Sequence, residues 1–149
     1  MISFDTNLVV YSANADAPEQ PAAAAFIESL ATRDDVTVCE LMLVEVYLKL
    51  RNAAILRNPL EAPKAAAYCQ AFRNNANWQL VESATVMPEV WRMAATKGFA
   101  LRRIIDARLA LTLRHFGVTE FATSNTKDFA GFGFARVWNP LTENNKRRE

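Results

Sequence analysis

The chain has 149 residues, 51% of them hydrophobic and 22% charged, with a net charge of +1. That suffices for one globular domain with a sizeable core, and it excludes a bilayer-spanning helix, since no apolar run approaches the ~18 residues required. Residues 1–74 hold six Lys/Arg against nine Asp/Glu, and residues 75–149 hold eleven against seven; the near-neutral total therefore hides a basic second half that leaves room for nucleic acid.

Ile2-Ser3-Phe4 has the length and chemistry of a buried strand and runs straight into Asp5-Thr6-Asn7. A short helix is expected over Leu8–Ser12, a turn at Asn14–Pro18, and an amphipathic helix over Glu19–Thr32. Val36-Thr37-Val38 reads as a second strand. Glu40–Leu56 reads as a long helix with Leu41, Val44, Leu48 and Ile55 on its buried stripe, ended by Asn58-Pro59. A helix over Ala62–Asn74 carries Pro63 in its first turn. A third strand follows at Gln79–Val81, then a helix from Pro88 to about Lys97 with Gly98 as its C-cap.

Ile104–Phe116 forms the last long helix, stopped by Gly117. Glu120-Phe121-Ala122 is a fourth strand, the loop Thr123–Gly133 carries Asp128, and Ala135–Trp138 is the last strand, closed by Asn139-Pro140. Residues 1–141 are read as a single domain and 142–149 as a polar, frayed tail. Short strands alternating with long helices pair in parallel through right-handed crossovers. The expected fold is therefore α/β, a three-layer α/β/α sandwich.

Most acids lie in polar company, but four do not. Asp5 ends a strand, Glu45 sits within Leu43-Val44-Glu45-Val46, Asp106 follows Ile104-Ile105, and Asp128 precedes Phe129. A lone buried carboxylate takes up a proton in preference to staying charged. A cluster that remains ionised needs a cation, and oxygen-only ligands suit Mg²⁺ or Mn²⁺. Each acid also has a plain structural role open to it. Asp5 or Asp106 could serve a helix N-terminus, Glu45 could pair with a basic residue, and Asp128 could stabilise a turn. Asp5 and the Thr123–Asp128 loop share one edge of the sheet if the first and fourth strands are neighbours.

Ile2 to Tyr11 resembles the opening of the PIN-domain ribonucleases. Leu43-Val44-Glu45-Val46 resembles their second acidic position, and Ile105-Asp106-Ala107-Arg108-Leu109-Ala110 with Phe116-Gly117 resembles the third. Ala122 to Phe129 resembles the fourth, with Thr123 and Asn125 at accessory polar positions. The similarity covers nearly the whole chain, in order, through Trp138-Asn139-Pro140-Leu141, and is greatest to the VapC-type toxins of bacterial type II toxin–antitoxin pairs. Arg108 departs from relatives that carry an uncharged or imidazole side chain there.

The resemblance implies a parallel sheet of about five strands and a Mg²⁺- or Mn²⁺-dependent endoribonuclease that hydrolyses phosphodiesters. It also implies a small VapB-type antitoxin as partner, a tendency to dimerise, and no membrane association. In this reading Asp5, Asp106 and Asp128 ligate metal, with Glu45 binding directly or through water. Thr6, Asn7, Thr123 and Asn125 hold the acids in place. Arg102, Arg103, Arg108 and Lys127, with Arg114 nearby, form a basic rim for RNA. Exposed apolar positions on the Glu40–Leu56 and Ala62–Asn74 helices are the expected seat of the antitoxin or of a second copy. Two other readings share the fold: a catalytically silent PIN-like binding module and a housekeeping RNA- or DNA-processing nuclease. Cys39 and Cys69 are expected as buried free thiols and the protein as cytoplasmic. The tryptophans and His115 are expected in packing or capping roles.

Overall fold

Five strands of three residues each form the centre of the structure, a computed structural model that describes residues 1–142. They are β1 (Ile2–Phe4), β2 (Thr37–Cys39), β3 (Gln79–Val81), β4 (Glu120–Ala122) and β5 (Arg136–Trp138). Every strand pair is parallel. β1, β4 and β5 form one ladder, β2 and β3 a second. A parallel bridge between Ile2 and Val36 joins the two into the order β3-β2-β1-β4-β5. The seam is closed by the Ile2 amide, which donates to the Asp35 carbonyl at 2.8 Å, and by Ser3 Oγ, which donates to the Thr37 carbonyl at 2.5 Å. The tail expected over 142–149 lies, from residue 143 onward, outside the described residues.

Parallel neighbours need crossovers, and helices supply them: α1 (Thr6–Ala13), α2 (Gln20–Leu30), α3 (Glu40–Leu50), α4 (Ala62–Arg73), α5 (Met87–Ala94), α6 (Arg103–His115) and the single-turn α7 (Thr126–Phe129). α1 packs on α2 and α3, α3 packs on α4, and α5 packs on α6. Both β1 and β2 are fully buried, as strands covered on two faces must be. The chain winds outward from β1 through β2 to β3, then returns to place β4 on the other side of β1. The strand order reverses between β1 and β4, where open α/β sheets leave a crevice at their carboxyl ends.

Three expectations need correction. α3 stops at Leu50, six residues short of Leu56, because Asn52 folds the chain into turns: the Ala54 amide donates to Asn52 Oδ1 at 2.9 Å and the Leu56 amide to the Asn52 carbonyl at 3.0 Å. The buried stripe of α3 is also not the expected one. Met42, Leu43, Val46 and Leu50 point inward, while Leu41, Val44 and Leu48 are 36%, 48% and 62% exposed, and Ile55 lies exposed beyond the helix. A helix that is apolar nearly all round does not reveal its inward face by period. Its phase is set instead by β2, which passes into α3 without a loop residue. α1 also begins at Thr6, two residues earlier than expected.

The loop after β4 is tied down by aromatics. Phe121 packs against Phe129 with ring centroids 4.6 Å apart and stacks on Phe134 at 5.2 Å. Phe129→Ala empties this buried site and is expected to cost about 3–5 kcal/mol, read as a lower urea midpoint at constant slope. A loss below about 1 kcal/mol would show that the loop is anchored elsewhere.

Candidate active site

Asp5 leaves β1 at its carboxyl end, and its amide extends the ladder by donating to the Ala122 carbonyl at 2.8 Å. Its side chain does not cap α1. The residue is only 7% exposed, and Thr123 Oγ1 donates to the carboxylate at 2.7 Å. Thr123 is itself fully buried and held twice: its amide donates to the Trp138 carbonyl at 2.9 Å, and its hydroxyl accepts from the Asn125 amide at 3.0 Å. Burial pushes the Asp5 carboxyl above the ordinary range, opposed by the Thr123 hydrogen bond and the Lys49 charge.

Glu45 reaches the same edge from α3. Its carboxylate pairs with Arg108 Nη2 at 2.6 Å and accepts from Thr6 Oγ1 at 3.4 Å. Burial raises its pKa, while Arg108 and Lys49 oppose the rise. Lys49 Nζ also donates to Asn7 Oδ1 at 2.9 Å. Asn7, expected to steady an acid, therefore steadies a lysine that the sequence reading did not single out. The available signal was its place one helical turn after Glu45, on the same face of α3.

Asp106 lies in the first turn of α6. Burial and the neighbouring charges of Asp5 and Asp128 push its pKa up to about 6, against the pull of Arg103. Asp128 stands in α7, its amide donating to the Asn125 carbonyl at 3.1 Å. It does not have the apolar setting expected of it. Phe129 turns inward and Asp128 is exposed, yet its charge still bears on Asp5 and Asp106.

The four acids thus share one field at the crevice between β1 and β4. Among the described residues, no three carboxylate, thiol or imidazole groups are drawn into a ready coordination shell. Asp5 is turned to Thr123, and Glu45 to Arg108 and Thr6. The donor chemistry nevertheless fits a hard divalent cation, which takes oxygen ligands and keeps several waters, so the acids need not meet at a point.

The basic residues divide. Arg102, four residues before Asp106, and Lys127, next to Asp128 in the chain, are exposed, and Arg103 lies over the Phe132 ring at 4.8 Å. Arg108 is engaged by Glu45, and Arg114 holds the Val118 carbonyl at 2.8 Å, which makes it a structural residue. Trp78 packs edge-on to Phe4 at 5.6 Å and His115 against Phe116 at 4.9 Å, as expected, whereas Trp91 is 61% exposed. Cys39 and Cys69 are buried and free.

No protein-family model matches the chain. It is similar to Ribonuclease VapC24 of Mycobacterium tuberculosis, with 57% identity over 142 residues covering 95% of this chain and 98% of that protein, in each of two strains. Its fold is similar to that of M. tuberculosis VapC20, described as a sarcin–ricin-loop-cleaving toxin, with a TM-score of 0.68 and 19% identity over 90% of this chain and 96% of that one. It is also similar in fold to FitAcB from Neisseria gonorrhoeae, with a TM-score of 0.62 and 21% identity over 94% of this chain and 98% of that one.

The raised Asp106 pKa has a measurable cost. The folded state holds the proton more tightly than the unfolded chain, so stability falls as pH rises from 3.8 to about 6 and stays lowered above. Discounted for the screening of a part-exposed group, the loss is on the order of 1–2 kcal/mol. That exceeds the ~0.3–1 kcal/mol that a negative charge in a first helical turn returns. Without divalent cation, Asp106→Asn is expected to melt about 2–4 °C above wild type at neutral pH, with the difference closing below about pH 4. A variant that melts lower at neutral pH would contradict this account of the acid cluster.

Proposed function

The chain belongs to the VapC-type PIN-domain ribonucleases, and from that membership we propose which of its residues hold the metal, the RNA and the antitoxin. It is an endoribonuclease, the toxin half of a toxin–antitoxin pair, and enzymes of this family depend on a divalent cation. The observation that carries the assignment is the convergence of acids on one strand-order reversal: Asp5 leaves β1 there under the Thr123 hydroxyl at 2.7 Å, Glu45 reaches it from α3 through Thr6, and the charges of Asp5 and Asp128 bear on Asp106.

Asp5, Asp106 and Asp128 are proposed to hold the cation, Mg²⁺ or Mn²⁺, with Glu45 binding directly or through water. When bound, the cation supplies charge neutralisation at the phosphate and a water of lowered pKa. The chain's own groups do the rest. Thr123 fixes Asp5 in one orientation, and Thr6 and Arg108 fix Glu45. A carboxylate not fully used by the cation can orient the attacking water or accept its proton.

Arg102, Arg103 and Lys127 are proposed to draw in the phosphates, because four acids at one edge repel RNA on their own. The exposed Leu41–Val44–Leu48 stripe, beside a cavity of about 530 Å³ between α3 and α4 that Leu43, Val44 and Tyr47 line, supports an apolar segment of a VapB-type antitoxin docking there. A homodimer remains part of the proposal, with no face assigned to it. Among the described residues no helix is long and apolar enough to cross a membrane; a cytoplasmic location is likewise proposed.

Mn²⁺ is expected to raise the melting temperature of wild type and not of Asp106→Asn, because a ligand of the folded state alone stabilises it. Asp5→Asn and Asp106→Asn are expected to abolish RNA cleavage with the fold intact, and Thr123→Val to lower it roughly 10–100-fold. Undiminished cleavage by either Asp variant would sink the assignment. The double variant Arg102→Ala, Arg103→Ala is expected to flatten the salt dependence of RNA binding by about one unit of slope per charge; an unchanged slope would remove both from the rim.

A further inference from the structure

The acids occupy the carboxyl edge of the sheet at β1 and β4. At β2 and β3 the same edge holds a cavity of about 340 Å³, at the small end of ligand-pocket sizes. One wall is Glu40 and Leu41, directly after β2; the other is Glu82 to Ala84, directly after β3, together with Met87. Arg108 joins the two regions, since it both lines the cavity and pairs with Glu45 at 2.6 Å. The acids and the cavity thus lie along one edge of the sheet, linked through Arg108.

The lining decides what fits. Leu41, Ala84 and Met87 offer apolar contact of the kind a base face takes, and the two glutamates are acceptors without a donor. Two carboxylates outnumber the one guanidinium of the lining, Arg108, which is itself paired with Glu45, and so disfavour a phosphate. Arg73 Nε reaches both oxygens of Glu40 at 3.1 Å, whereas Glu82 is exposed and, among the described residues, unpaired. The walls are braced against the catalytic side. Buried Ser83 lies 3.6 Å from Cys39 Sγ and 3.0 Å from Thr112 Oγ1, and that hydroxyl is 2.6 Å from the Arg108 carbonyl. The cavity is thereby tied to α6, the helix that presents Asp106 and Arg108.

We propose that this cavity receives the base next to the scissile phosphate, with guanine preferred, and that Glu82 reads it. Guanine presents two parallel donors, N1–H and the N2 amino group, which one carboxylate accepts together. Uracil offers one donor between two acceptors that a carboxylate repels, and adenine and cytosine offer one amino group each. Single-stranded RNA is read in this manner, by splayed bases bonded along their Watson–Crick edges. The proposal rests on the assignment of the neighbouring acids as the cutting site.

The test is a pool of hairpin RNAs with randomised loop nucleotides, cut by the full-length protein in Mn²⁺ and sequenced at the new ends. Wild type is expected to show guanine enriched at one position beside the cut. Glu82→Gln is expected to lower that preference about tenfold. Met87→Trp, which fills the cavity, is expected to raise KM on a guanine-bearing hairpin more than it lowers kcat. Melting curves establish that both variants are folded. Cutting by wild type without a base preference beside the cut overturns the proposal, as does retention of the wild-type preference by both variants. Failure of wild type to cut any RNA in the pool overturns the assignment of the acids, and this proposal with it.

Discussion

A carboxylate held out of water at the end of a central strand either finds partners or takes up a proton. Asp5 finds them through strand pairing. The parallel register sets Phe4 opposite Ala122, so the next residues along, Asp5 and Thr123, come side by side although 118 positions separate them in the chain. A slip of one residue would turn Thr123 away and exchange the faces on which Phe121 and Ala122 lie. The site and the core thus depend on the same register: what buries Phe4 and Phe121 also seats the hydroxyl on the acid.

That dependence explains what could be read from residues alone. Asp5 was legible because a three-residue apolar strand and the rule that chemistry collects at strand ends need no tertiary information. Asp106 was legible by its apolar neighbours Ile104 and Ile105 and its place at the start of a helix. The outward face of α3 was not legible. Leu41, Met42, Leu43, Val44 and Val46 leave no polar side to mark solvent, and only the direct passage from β2 sets the helix phase. Asp128 was placed at the right edge but in the wrong environment, because the sequence could not show that Phe129 alone turns inward. Lys49 was overlooked although Glu45 stands one turn before it on α3, because its hydrogen-bond partner Asn7 and the charge of Asp5 reach it only through the tertiary fold.

Arg108 and Lys49 are both cations set beside Glu45, and they act differently. Lys49 donates to a neutral amide and contributes its charge at a distance, as a compact ammonium on a flexible stem does. Arg108 grips Glu45 directly and, from the same helix, lines the neighbouring cavity. Its guanidinium leaves further N–H donors beyond those used by Glu45.

The brevity of the strands has a consequence for the free protein. The sheet ends on β3 and β5, each of three residues. A long, flat, apolar edge is a template on which other chains stack, and short edges with charged side chains are among the means by which sheets avoid it. Here β5 opens with an exposed arginine, and β3 has two exposed residues out of three. The exposed apolar side of α3, the seat proposed for the antitoxin, is thus carried by a sheet that offers almost no backbone edge for growth. Contact between copies through that face would run through side chains and not through strand pairing.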